Sequence, residues 1–140
     1  MREVFADTAY WFATFSPRDQ WREAALRLRA DIGECVLVTT DEVLAEFLTG
    51  VGGGGPRTRQ MAAALVRRAL RSSTVVVVPQ SRETLLAGLT LYEARPDKTH
   101  SLVDCVSMAT MRAHGLTDVL TNDQHFAQEG FNVLMQRKDG

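Results

Sequence analysis

The chain has 140 residues, 45% hydrophobic and 24% charged, with a formal net charge of −1. That size and apolar content suit one compact domain over residues 1–140, and the balanced charge excludes both a global basic field for nucleic acid and an acid-rich disordered chain. Cys35 and Cys105 lie in apolar runs without a CxxC pair, Glu3 and Asp7 interrupt the first apolar stretch, and no apolar run approaches membrane length. A disulfide scaffold, a zinc site, a signal peptide and a membrane span are therefore not expected, and a soluble cytoplasmic protein is.

In chain order, Val4-Phe5-Ala6 reads as a strand stopped at Asp7-Thr8, which leaves the acid at the strand's C-terminal end. After the aromatic run Tyr10 to Phe15, Ser16-Pro17 has the form of a cap and first helical residue, predicting a helix to about Ala30 with Trp21, Ala24, Ala25 and Leu28 inward. Cys35 to Val38 is continuously apolar, as a strand buried on both faces is. Thr39 and Glu42 have capping-box spacing for a helix that buries Val43, Leu44, Phe47, Leu48 and Val51, with Glu46 inside that apolar set.

The run Gly50 to Gly55 matches GxGxxG in form only. Dinucleotide loops need a strand before the glycines and a helix N-terminus after them to receive the pyrophosphate, whereas these glycines follow a helix and end at Pro56, so a helix stop and linker is expected. Thr58 to Arg71 is the next helix, with Met61, Ala64, Leu65 and Ala69 inward. Arg57, Arg59, Arg67, Arg68 and Arg71 then form the one dense basic cluster, read either as a solvated face or as a phosphate-binding surface. Thr74 to Val78 is a β-branched strand. Ser81 caps a helix to Ala94 whose stripe is Leu85, Leu86, Leu89 and Tyr92, and Ser101 to His114 is a helix closed by Gly115. Val119 to Thr121 and Asn132 to Met135 are the last strands, and Phe126 is expected in the core. Strands alternating with helices across short loops predict an α/β fold with a mostly parallel sheet, whose functional groups gather at the strands' C-terminal edge.

Asp104 demands an explanation. It is the only charge between Leu102 and Met111, and an ionised carboxylate in a helix apolar all round costs several kcal/mol unless it is paired or bound. Asp7 and Asp123 follow strands and so lie at the C-terminal edge. Glu46 sits in a helix leaving that edge, and Asp104 in the first turn of a helix that starts there. Four carboxylates from four segments can thus converge. Two unit charges about 4 Å apart repel by roughly 4 kcal/mol at an effective dielectric of 20, so such a cluster takes up protons or binds a cation. Oxygen ligands without histidine or thiolate suit Mg²⁺ or Mn²⁺ rather than zinc, and that site favours phosphodiester hydrolysis leaving 5′-phosphate and 3′-hydroxyl ends. Each acid also has a local reading: Asp104 as a helix N-terminal acid, Asp7 and Asp123 as turn acids, and Asp41 and Glu42 as dipole partners. His100, His114 and His125 share no ligand spacing.

Several stretches, FADTAYWFA, TTDEVLAEFLTG and SLVDCVSMATMRAHGLTDVLTNDQHFAQEGF, resemble the PIN-domain ribonucleases, in particular the VapC-type toxins of toxin–antitoxin pairs. The resemblance implies a three-layer α/β/α sandwich and Mg²⁺- or Mn²⁺-dependent cleavage of RNA. It also implies frequent homodimers and an antitoxin whose C-terminal segment wraps the toxin. Carried onto this chain, it makes Asp7, Glu46, Asp104 and Asp123 the catalytic, metal-binding acids. Thr8 becomes a candidate to orient Asp7 or a water at the metal, with Thr121 and Asp97 in support. The glycine run before the basic helix departs from the family pattern. The other readings are a PIN nuclease with a housekeeping role in RNA processing and a non-catalytic α/β binding module.

Overall fold

The computed structural model describes residues 1–136. Its strands are β1 (Arg2–Ala6), β2 (Cys35–Thr40), β3 (Val75–Val78), β4 (Asp118–Leu120) and β5 (Asn132–Val133), and its helices α1 (Thr8–Phe15), α2 (Arg22–Ile32), α3 (Asp41–Val51), α4 (Pro56–Arg71), α5 (Arg82–Ala94), α6 (Leu102–Ala113) and α7 (Gln124–Gln128). All strand pairs are parallel, in the order β3-β2-β1-β4-β5. The chain moves outward from β1 to β3, then returns to the other side of β1. Right-handed crossovers place α1 to α4 on one face and α5 to α7 on the other. The packing agrees, with α1 on α2 and α3, α3 on α4, and α6 between α5 and α7. Because both neighbours of β1 leave in opposite directions, a crevice opens beyond its C-terminal end, between β1 and β4.

Burial follows from strand composition. Val4, Phe5 and Ala6 of β1 and Val119 and Leu120 of β4 are fully enclosed, and they meet Phe47 of α3, Met108 and Met111 of α6 and Phe126 of α7. The glycine run is a helix stop and linker: α3 ends at Val51, and Gly55, with φ 96°, is the N-cap before Pro56 opens α4. Between α5 and α6 the contact is closer than a side chain permits. A Cβ on Gly88 would lie 2.4 Å from Val106 Cγ2 and 3.0 Å from its backbone.

Several local expectations are corrected. The first helix does not begin at Ser16-Pro17: Asp7 occupies the N-cap of α1, Ser16 is its C-cap, and α2 starts only at Arg22 after a turn in which Asp19 accepts from the Trp21 amide at 2.7 Å. Thr40, not Thr39, caps α3, accepting from the Val43 amide, while Thr39 stays in β2 and donates to the Ala6 carbonyl at 2.9 Å. In α4 the inward residues are Ala62, Val66 and Ala69, and Met61 is exposed. In α5 Gly88 and Leu91 face inward, leaving Leu86, Leu89 and Tyr92 exposed, because close approach to α6 selects the glycine side of the helix. The segment after Asp123 forms the short helix α7, and β5 covers only Asn132–Val133 rather than reaching Met135.

Candidate active site

Asp7 leaves β1 directly into the crevice. Its amide extends the pairing with β4 by donating to the Leu120 carbonyl at 3.2 Å, and the residue is 4% exposed. Oδ2 accepts from the Thr121 hydroxyl at 2.8 Å, whereas Oδ1 is buried without a hydrogen-bond partner. Burial pushes this carboxyl up to about 7. The Thr121 hydroxyl and the Thr8 backbone oppose the rise, and the charges of Asp104 and Glu46 add to it. A buried acid with one empty oxygen and two like charges nearby is poised for a cation.

Thr121 ties this acid to the next. Its fully buried hydroxyl donates to Asp7 and accepts from the Asp123 amide at 3.2 Å. Asp123 caps α7, accepting from the His125 amide at 2.9 Å. Across the crevice, α6 opens with a reciprocal capping box: the Asp104 amide donates to Ser101 Oγ at 3.0 Å and the Ser101 amide to Asp104 Oδ2 at 3.1 Å. The cap accounts for one oxygen of Asp104 and fixes its direction. On the fourth side, the buried Thr8 hydroxyl donates to Glu46 Oε1. Glu46 is exposed on α3, at the rim of a hollow shared with Phe12 and Val103, not buried among the apolar residues that flank it in sequence.

His125 was missed in the sequence. Its Nδ1 lies 3.2 Å from Asp123 Oδ1 and 3.4 Å from Asp104 Oδ2, and Asp104, Asp123 and His125 each offer one ligand atom within 4.8 Å of the others. The histidines share no mutual spacing; the signal lay in the two-residue step from Asp123. Hence the structure brings together Asp7, Thr8, Glu46, Asp104, Thr121 and Asp123. Asp97 stays outside, solvent-exposed with its carboxylate 3.7 Å from Lys98 Nζ. Arg57, Arg59, Arg67, Arg68 and Arg71 are exposed on α4, which packs on α3 and β3; Arg59 donates to the Gly52 carbonyl at 3.0 Å.

A second carboxylate cluster stands behind the site. Glu129, with its side chain 3% exposed, receives Arg95 Nε at 2.9 Å, Arg112 Nη2 at 3.2 Å and His100 Nε2 at 3.1 Å. Burial alone would raise this carboxyl, but the bonds from Arg95, His100 and Arg112 together outweigh it and pull it down to about 2.

Asp104, Asp123 and His125 form a set close enough to share a divalent cation, with the partnerless Asp7 oxygen and Glu46 bordering it as further acidic groups. No helix of the described residues is long and apolar enough to cross a membrane. Residues 4–132 match the PIN domain family model. The chain is 32% identical over 129 residues, 91% of this chain and 95% of the relative, to the 23S rRNA-specific endonuclease VapC20 of Mycobacterium tuberculosis. The crystal structure of VapC20, described as a sarcin–ricin loop cleaving toxin, matches with a TM-score of 0.84 and 27% identity over 95% of this chain and 99% of that one. FitAcB from Neisseria gonorrhoeae (TM-score 0.68, 18% identity, 94% and 96% covered) and a toxin–antitoxin complex from Klebsiella pneumoniae (0.61, 20%, 86% and 87%) share the fold. With family model, relative and fold in agreement, the chain belongs to the PIN-domain family.

Proposed function

We propose that this chain is a Mg²⁺- or Mn²⁺-dependent endoribonuclease, the toxin of a toxin–antitoxin pair, working as one nuclease domain with Asp7, Glu46, Asp104 and Asp123 as its metal-binding acids. The observation that carries the reading is Asp7 Oδ1, buried without a donor beside the charges of Glu46 and Asp104. Held by these acids, a divalent ion would supply neutralisation of phosphate charge and a lowered pKa for a water, so that it could give up a proton and serve as the nucleophile. The protein's part is alignment. Thr121 turns Asp7 inward, Thr8 holds Glu46 toward it, and the Ser101 cap points Asp104 from the opposite wall.

RNA is the proposed substrate, and a ribosomal loop of the kind the M. tuberculosis relative is named for is the first one to offer it. The exposed arginines of α4 are proposed to hold RNA phosphates away from the cut. A cognate antitoxin and a second copy of the chain are the proposed protein partners, in the cytoplasm, where the free buried thiols Cys35 and Cys105 stay reduced. The test uses purified protein with MnCl₂ and a labelled 23S rRNA loop hairpin. Cleavage should need the metal and vanish in Asp104→Asn with the fold intact by circular dichroism. Wild-type activity in that variant would overturn the reading.

A further inference from the structure

The side chain that the four-acid reading does not use is His125. Its ring is held on two sides: Nε2 is 3.0 Å from Thr99 Oγ1, and the ring stands edge-on to His100 at 5.0 Å between centroids. His100 is itself buried and anchored on Glu129. The remaining nitrogen, Nδ1, is shielded from solvent and lies within 3.4 Å of both Asp104 and Asp123, yet it makes no hydrogen bond to either. Donors that are close together but not directed at one another match the ligands of a common ion. Neighbouring ligands of an octahedral ion at about 2.1 Å stand about 3 Å apart, and the Nδ1 distances to Asp123 and Asp104 are 3.2 and 3.4 Å. Thr99 completes the pattern. Metal-bound histidines give their second N–H to an outer acceptor, which fixes the tautomer and leaves the lone pair on the ligating nitrogen.

Resting on the metal-dependent reading above, we propose that His125 Nδ1 is a metal ligand beside Asp104 and Asp123, with Thr99 as its outer partner. This nitrogen biases the site toward Mn²⁺ over Mg²⁺. Mg²⁺ favours oxygen, while imidazole binds the transition ions more tightly. The Asp7 oxygen without a donor is a second buried group in the same electrostatic neighbourhood, outside the trio formed by Asp104, Asp123 and His125.

The experiment needs no RNA. Full-length protein loaded with Mn²⁺ should show coupling to a histidine ¹⁴N in pulsed electron paramagnetic resonance. His125→Gln should lose that coupling while still binding Mn²⁺, with a Mn²⁺-to-Mg²⁺ affinity ratio by calorimetry at least tenfold lower. Thr99→Val should keep the coupling and bind Mn²⁺ about tenfold more weakly. Metal-free thermal melting checks the fold of both variants, and the wild-type spectrum decides the matter if His125→Gln does not fold. Mn²⁺ bound with Asp104 required but no nitrogen coupling, or an unchanged affinity ratio in His125→Gln, overturns the ligand assignment and leaves the nuclease reading standing. Absence of Mn²⁺ binding altogether overturns both.

Discussion

Asp7 is 4% exposed and the Glu129 side chain 3%, yet the first carboxyl is raised to about 7 and the second lowered to about 2. Burial works against the charge in both. The difference lies in who faces them: Glu129 collects two guanidiniums and an imidazole, while Asp7 collects one hydroxyl, a backbone contact and two like charges. Full satisfaction makes a brace that ties α5, the loop before α6, α6 itself and the end of α7 together. An unfilled oxygen leaves a carboxylate able to take a cation. Burial of a carboxylate therefore says little about its purpose, and the inventory of donors around it says a great deal.

Replacing each acid should separate the two roles. Asp7→Asn is expected to cut the cleavage rate on the order of 10³-fold, about 4 kcal/mol of transition-state stabilisation. Its melting temperature in EDTA at pH 8 should equal or exceed that of the wild type, because a charge buried at a cost is gone. A fall in melting temperature there would place Asp7 with the braces. The pH dependence of the metal-free protein carries the same contrast with opposite signs. Asp7, raised from 3.8 to about 7, stabilises the fold while protonated, and that stability is lost as pH climbs from about 4 to about 7; three units correspond to about 4 kcal/mol at most. Glu129, lowered from 4.5 to about 2, stabilises above about 4.5 and loses that contribution as pH falls toward 2. Denaturant titrations at pH 3, 5 and 8, with and without Mn²⁺, read both, and Mn²⁺ should abolish the alkaline loss alone.

Glu129→Ala strands His100 and two arginines and should cost about 3 kcal/mol in urea denaturation, at the lower end for a broken buried pair because the arginines reach solvent. A cost under about 1 kcal/mol would deny the brace. The smallest change is Thr121→Val, which removes the one side-chain donor of Asp7. A loss of about 1.5 kcal/mol is expected, with a weaker Mn²⁺-induced thermal shift. An unchanged thermal shift would mean that Thr121 does not set the direction of Asp7.

The two strand-end acids were legible because parallel sheets send whatever follows an apolar strand to one edge, and β1 and β4 obey that rule through Asp7 and Asp123. Asp104 was legible as the lone charge of an apolar helix, and it proves to be a cap as well as a wall of the site. His125 was legible only as the residue two steps after Asp123, since Thr99 and Asp104, which it also faces, are brought beside it by folding. Glu129 was hidden for the same reason: Arg95, His100 and Arg112 show no pattern with it along the chain. Local signals failed where another local signal competed. Ser16-Pro17 has the form of a helix start, but α1 already runs from Thr8 and Ser16 is its C-cap, and the leucines of α5 lost the inward face to Gly88 because only a residue without Cβ admits Val106.

The Thr121 hydroxyl spans 114 residues of sequence to reach Asp7, and on its other side it holds the Asp123 amide. Contacts of such separation form late, once the chain-closure entropy of nearly the whole domain has been met. On a ribosome, β1 emerges first and waits for β4, so a nascent chain carries Asp7 and Glu46 long before it carries Asp104 and Asp123. Cutting power would then arrive in one step with completion of the sheet, and a cleaved or unfinished chain would be inert.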